Sequence, residues 1–149
     1  SDGGIHYGIP GSDRESVLRA VVERLKLPED ADREALVRIF LAREAMGSTG
    51  VGDGIAIPHV RSPIVLHVQQ PTITLCFLQT PIDFKAVDGR PVHTLFSMIT
   101  PTVRSHLQLL SELASALCDP KFKSLLAHRA QPGDILAEAR RLTVAHGKK

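Results

Sequence analysis

Apolar positions along the chain recur at two spacings, which predict helices toward both ends and strands in the middle. Between residues 12 and 25 they fall three or four residues apart, which gives one apolar helix face, and Ser12 with Glu15 has capping-box spacing. A second helix is predicted from Asp32 as N-cap to Gly47 as its stop. Three further helices are predicted to begin at Ser105 (with Gln108 completing a capping box), Asp119-Pro120 and Pro132.

Two segments in the middle of the chain, residues 72–79 and 92–99, are predicted strands. They are rich in β-branched residues, and Pro81 and Pro101 follow them. Because both are apolar with little polar alternation, we expect a sheet that is buried on both faces. Residues 5–9 predict a short first strand. Helices before, between and after buried strands predict an α/β sandwich in a single domain.

Composition narrows the function classes. The 149 residues fit one domain, and 43% hydrophobic with 23% charged residues is ordinary for a globular protein. With a net charge of +2, 4% aromatics and no basic run, the chain is not expected to bind nucleic acid directly. No apolar stretch approaches the ~20 residues that span a bilayer and no signal peptide begins the chain, so we expect a cytoplasmic protein without membrane insertion. Cys76 and Cys118 are expected to be reduced core residues.

The most unusual stretch is GSTGVGDGIAIPH at residues 47–59, which has four glycines in eight positions. We do not expect it to form a regular helix or strand, because each glycine favours positive φ or close backbone approach to another group. Pro58 then stiffens the chain immediately before His59. Local sequence leaves two interpretations of His59 equally open. It is either a turn histidine that bonds its own loop, or an imidazole that a rigid scaffold presents at the surface.

Two other side chains have a chemical interpretation beside a structural one. His106 is predicted as the first or second residue of the third helix, where free N–H groups and the helix dipole favour an anion. Taken alone, an exposed helix start is the favoured interpretation. Arg43, in the last turn of the second helix, either compensates the helix dipole or offers forked donors to phosphate oxygens. The other histidines lack metal-ligand spacing, so a metal site is a weak hypothesis; they are His6, His67, His93, His128 and His146.

The run at residues 47–59 resembles the phosphorylation-site signature of EIIA domains of the bacterial phosphotransferase system. The match is to the fructose/mannitol class and, within it, to the nitrogen-regulatory branch. It extends from about residue 12 to 142 and takes in LAREAM at 41–46, PIDF at 81–84, DGRPV at 88–92 and SHL within 101–110. The chain departs from the pattern at Val60 and Arg61, where many relatives have a small residue, and this changes the surface that faces a partner.

This resemblance implies a mixed β-sheet sandwiched between helices, in a single domain of residues 1–149. The core covers about residues 12–142, and the tail, 143–149, is expected to be frayed. The implied upstream partner is a phosphocarrier of the HPr type, and the downstream partner is an EIIB protein or a regulated target. A few EIIA-like domains follow a DNA-binding helix-turn-helix module, and the Gly-Gly start is compatible with such an upstream segment.

The resemblance also assigns roles to individual residues. His59 becomes the phosphoryl acceptor of a phosphotransferase. The second active-site histidine falls on His106, 47 residues downstream, and the active-site arginine on Arg43, 16 residues upstream. Ser48 and Thr49 match a hydroxyl pair that binds phosphate beside the site. Transfer between histidines needs positioning and electrostatic stabilisation, so no metal or other cofactor is expected.

Three functions follow from these observations. The leading hypothesis is a phosphohistidine carrier that acts in regulation. The second, with the same chemistry, is the EIIA subunit of a fructose- or mannitol-type sugar transporter that passes phosphate to EIIB. The third is a protein-binding regulatory module that is never phosphorylated, against which the joint presence of Arg43, His59 and His106 argues.

Overall fold

The computed structural model describes residues 4–25, 32–47, 49–61, 72–86, 88–100 and 103–147. They fall into two compact units, Ser1–Val103 and Arg104–Lys149. The strands and the first two helices are β1 (Ile5–Ile9), α1 (Arg14–Arg24), α2 (Arg33–Met46), β2 (Gly50–Gly52), β3 (Ile55–Ala56), β4 (His59–Arg61), β5 (Thr72–Ile82) and β6 (Val92–Thr100). The remaining helices are α3 (Val103–Leu117), α4 (Pro120–Ala127) and α5 (Pro132–Gly147).

The six strands form one mixed sheet. Its order is β1, β5, β6, β3 and β2, and β4 also pairs with β6. Strands β5 and β6 are antiparallel, whereas β1 runs parallel to β5, and β3 and β4 run parallel to β6. Residues 75–78 and 94–99 are buried at every position, so the central pair is covered on both faces, as its apolar runs predict. The predicted α/β class with a mixed sheet is therefore confirmed.

Helices α1 and α2 share a hydrophobic core with one face of this sheet. Fully buried side chains at helical spacing, such as Val17 and Val21 of α1, pack with strand residues that include Cys76. Burial raises the pKa of the Cys76 thiol to about 12, with a small opposing effect from Arg24, so this cysteine stays protonated at neutral pH. Cys118 is exposed, and the expectation that it lies in the core is wrong.

The first two helices begin at acidic caps. The N-cap of α1 is Asp13, whose carboxylate accepts the N–H of Ser16 at 2.8 Å while the Ser16 hydroxyl accepts the N–H of Asp13 at 3.2 Å. The capping box is therefore one residue later than the predicted Ser12–Glu15 pair, because aspartate combines the cap with a favourable charge at the helix dipole. Asp32 caps α2 as predicted, and its carboxylate accepts the N–H of Ala35 at 2.9 Å.

In the second unit, α4 begins as predicted, with Asp119 as its N-cap and Pro120 as its first residue. Helix α3 begins at Val103, so Ser105 lies inside it and the predicted capping box of Ser105 and Gln108 is wrong. Helices α4 and α5 are joined by ion pairs, among them Arg141 to Asp119 at 3.1 Å. Helix α5 extends through Gly147, and the expected fraying of residues 143–149 stays a prediction.

The glycine-rich segment, residues 47–59, contains the short strands β2 and β3, and β4 begins at its last residue, His59. The composition of the segment did not predict these three strands. They form because β6 offers a free edge: Ile55 pairs with Thr94 in β3, and His59 pairs with Met98 in β4. The Met98 N–H also donates to the Pro58 carbonyl at 2.9 Å. Main-chain pairing with a distant strand therefore overrides the weak local preference of glycine.

The turn between β2 and β3 depends on Gly54. Its φ is +78°, and its carbonyl accepts the N–H groups of His93 at 2.8 Å and Thr94 at 3.1 Å. A Cβ at this position would lie 2.3 Å from the His93 ring. Both the left-handed backbone and the close approach of the ring therefore require glycine here.

Asp88, in the loop before β6, also stabilises this turn through its side chain. Its carboxylate accepts the N–H of Arg90 at 3.0 Å and the N–H of Asp53 at 2.9 Å. These two bonds, the one from Arg90 first, lower the pKa of the Asp88 carboxyl below its ordinary value. The charged form of Asp88 therefore fastens the tip of the glycine-rich segment to the loop before β6.

Gly54→Ala should destabilise the protein more than Gly89→Ala. Both glycines have positive φ, but a Cβ at position 89 would meet nothing within 4 Å. Gly89→Ala therefore isolates the conformational cost, about 1–2 kcal/mol, and the clash with His93 adds roughly 1–3 kcal/mol in Gly54→Ala. Urea unfolding of both variants measures the difference, and equal losses would show that the ring exerts no steric constraint.

Asp88→Asn should lower stability at neutral pH and have a smaller effect in acid. The folded pKa of Asp88 is depressed, so its stabilisation is present above the unfolded value of ~3.9 and is lost as the pH falls through the folded value. Urea midpoints of the two proteins, measured from pH 7 downward, should converge below about pH 4. A gap that stays constant over this range would contradict the role of the charge.

Candidate functional site

The glycine-rich segment leaves helix α2 beside Arg43. This half-buried residue lies in the last turn of α2, and its Nη1 donates to the Gly47 carbonyl at 2.8 Å. A cation at this end also complements the helix dipole. The structure therefore supports the interpretation that Arg43 stabilises the end of α2. Its role in binding phosphate stays a prediction.

Glu44, the next residue, is a buried carboxylate that sequence reasoning missed. Its side chain is 3% exposed, and its Oε2 lies 3.3 Å from Arg14 Nη1 and accepts the Thr49 N–H at 3.3 Å. Its Oε1 accepts the Thr49 hydroxyl. One signal was available in the sequence: an acidic residue near a helix C-terminus opposes the dipole and therefore needs a compensating partner.

Thr49, predicted to bind phosphate, is buried and gives both of its donors to Glu44. Its hydroxyl has a single proton, which is committed to this carboxylate in the structure. Its carbonyl accepts the Ile57 N–H at 2.9 Å, across the glycine-rich segment. A phosphate-binding role of Thr49 stays a prediction, and the predicted partner Ser48 lies outside the described residues.

His59 is the first residue of β4. The sequence predicts that it lies in a loop, and this prediction is wrong. The described part of this residue is its backbone, which pairs with Met98 of β6. The two residues before it are fixed by hydrogen bonds on either side, from Ile57 to Thr49 and from Met98 to Pro58, each 2.9 Å long. Hydrogen bonds from helix α2 through Thr49 to Ile57, followed by the covalent backbone through Pro58, therefore connect α2 with His59.

His106 belongs to the second unit, whereas Arg43, Thr49 and His59 belong to the first. It is the fourth residue of α3, and not the first or second as predicted, because the helix begins at Val103. It is half-buried, and the first turn of α3 carries no acidic side chain. The helix N-terminus is therefore electrostatically suited to an anion, although this alone assigns no role to His106.

The other histidines that the structure describes belong to no group of side chains that could hold a metal ion. His93 Nδ1 lies 2.6 Å from Thr94 Oγ1, so this strand histidine is hydrogen-bonded, and His67 lies outside the described residues. Among the residues that the structure describes, no three His, Cys, Asp or Glu side chains are grouped to hold a metal ion. None of the described helices is long and apolar enough to cross a membrane.

Comparison with known proteins places the chain in a family. Residues 3–139, from both units, match the family described as phosphoenolpyruvate-dependent sugar phosphotransferase system, EIIA 2.

The chain is 38% identical over 113 residues to a nitrogen regulatory protein of Pseudomonas aeruginosa, covering 73% of this chain and 71% of that protein. It is also 38% identical over 112 residues to a fructose-specific EIIA component of Haloferax volcanii, covering 72% and 71%. Its structure is similar to that of the nitrogen regulatory protein IIA-Ntr of Neisseria meningitidis, with a TM-score of 0.79 and 26% identity over 92% of each chain. The chain therefore belongs to the EIIA type 2 family of the phosphoenolpyruvate-dependent sugar phosphotransferase system.

Proposed function

We propose that this EIIA domain carries a phosphoryl group on His59, which it takes from the phosphohistidine of an HPr-type carrier, and that it acts in regulation. The observation that carries the proposal is that hydrogen bonds fix the backbone of the two residues before His59. Thr49 holds Ile57 on one side, and Met98 of the sheet holds Pro58 on the other. A nucleophile that is positioned before its partner docks pays less of the entropic cost of transfer.

The chemistry is a displacement at phosphorus. The lone pair of His59 Nε2 attacks the phosphoryl group, the bond between phosphorus and the carrier histidine breaks, and its electron pair returns to the carrier imidazole. The His59 proton stays on Nδ1. The attack requires the neutral imidazole, in which Nε2 keeps its lone pair. Transfer leaves roughly −1.5 to −2 units of charge on the domain, enough to change which partner docks.

We also propose, from the resemblance to the family, that Arg43 and His106 supply donors for the phosphoryl oxygens. The Arg43 guanidinium has five N–H groups, of which one is used on Gly47, so it is suited to bind phosphate as well. His106 lies in the first turn of a helix, where the dipole favours an anion. Ser48 and Thr49 are proposed to border the site, and Thr49 would have to release Glu44 to donate its hydroxyl to phosphate.

A second candidate function has the same chemistry but a different acceptor. The relative from Haloferax volcanii is a fructose-specific EIIA component and is as similar to this chain as the nitrogen regulatory protein is. This supports the alternative that the domain passes phosphate to an EIIB protein during sugar uptake. Transfer from the phosphorylated domain to a cognate EIIB distinguishes the two, because a purely regulatory domain lacks that acceptor.

His59→Ala should abolish phosphorylation while the fold survives, and His106→Ala should fold and slow transfer by about 10²-fold, as loss of one transition-state donor does. The protein is incubated with a phosphorylated HPr-type carrier, and phosphohistidine is located by mass spectrometry. Circular dichroism of each variant confirms folding.

His128→Ala is the matched control for these variants. His128 is an exposed residue at the end of α4, and its Nδ1 lies 2.7 Å from the Ser124 carbonyl oxygen. We expect wild-type phosphorylation in this variant. Acid-labile phosphate on His59→Ala would refute the assignment of the acceptor, and an unchanged transfer rate in His106→Ala would remove that residue from the site.

A further inference from the structure

Glu44 occupies a position in which both carboxylate oxygens are used inside the protein. Its side chain is 3% exposed, and it faces Arg14 from α1 and the amide and hydroxyl of Thr49. A carboxylate that is buried to this extent is tolerated only when hydrogen bonds and a cation replace its hydration. The cluster therefore ties the start of α1 and the end of α2 to the glycine-rich segment.

Thr49 transmits this constraint toward His59. Its amide is held by Glu44, while its carbonyl accepts the Ile57 N–H at 2.9 Å. Ile57 stands two residues before His59, and the intervening Pro58 has a fixed φ. The orientation of the Thr49 peptide planes therefore affects the direction in which the chain enters β4.

We propose that Glu44 is a positioning residue for phosphoryl transfer, which acts through Thr49 on the backbone that carries His59. This inference rests on the proposed function of His59. Glu44 itself touches no phosphate. The hydroxyl of Thr49 serves the same purpose, since its proton is bonded to Glu44.

The chemistry of the cluster explains why a carboxylate is needed. The described groups that bond to Glu44, from Arg14 and Thr49, are all donors, and a carboxylate is an acceptor at both oxygens. Glutamine at this position would keep the shape but would turn one acceptor into an NH₂ donor that faces another donor. Thr49→Val removes the hydroxyl at nearly constant volume, whereas Thr49→Ser keeps it.

Glu44→Gln and Thr49→Val should lower kcat for transfer from a phosphorylated HPr-type carrier by about 10- to 100-fold, because misplacement by about 1 Å has an effect of this size. KM for the carrier should stay within about twofold of wild type, because a buried residue does not contact the docking partner. Thr49→Ser should restore most of the rate. In the same variants, the Ile57 amide should exchange with deuterium at least about tenfold faster than in wild type.

Two matched controls separate this effect from a general loss of stability. Glu138→Gln changes another buried, ion-paired glutamate, which contacts Lys121 and Arg141 in the second unit. Thr74→Val changes a buried threonine whose hydroxyl has no hydrogen-bond partner among the described residues. Both should leave kcat, KM and exchange of the Ile57 amide unchanged.

The outcomes distinguish the two proposals. If wild type takes up no phosphate, the proposed function fails, and the exchange of the Ile57 amide still decides whether Glu44 positions this segment. If wild type is phosphorylated and Glu44→Gln and Thr49→Val match it in kcat and in exchange, the positioning role is refuted while the carrier function stands. Should Glu44→Gln not fold, exchange of the Ile57 amide in Thr49→Val and Thr49→Ser decides, because this measurement is made without phosphate and does not depend on a contact between Thr49 and a phosphoryl group. A rise in KM with unchanged kcat would also overturn the inference.

Discussion

Strand β6 provides the main-chain hydrogen bonds on which the sheet and the glycine-rich segment both depend. One of its edges pairs with β5 in antiparallel register, and the other pairs with β3 and then β4 in parallel register. A chain with several glycines has little conformational preference of its own. Pairing with β6 imposes its extended form here. The same pairing fixes the register of His59, which lies opposite Met98.

Much of the fold could be predicted from sequence because its signals are local. β-Branched residues mark β5 and β6, and Asp32 and Asp119 mark helix starts through short-range hydrogen bonds. The errors arose where two local solutions compete or where pairing is distant. Ser12 and Asp13 are both acceptable caps one residue apart, and the pairs that create β3 and β4 join positions about 40 residues apart in the sequence.

The candidate site was less accessible to sequence reasoning than the fold. The match of their spacing to a family pattern is what predicts a shared role for Arg43, His59 and His106, because their local surroundings alone leave structural and chemical interpretations open. Glu44 and its contacts were missed since the Arg14 that compensates it lies 30 residues upstream. A charged residue in a helix is ordinarily solvated. Only the three-dimensional arrangement shows that adjacent residues of one helical turn differ, with Arg43 bonded to the end of the helix and Glu44 buried.

The close approach of His93 to Gly54 has a consequence for related sequences. The ring fills the space that a side chain at position 54 would need, so the two positions share one volume. A larger residue at position 54 is compatible with this turn only if residue 93 is smaller and the backbone at 54 leaves the left-handed region. We therefore expect the two positions to covary within the family, with glycine at 54 wherever a ring is kept at 93.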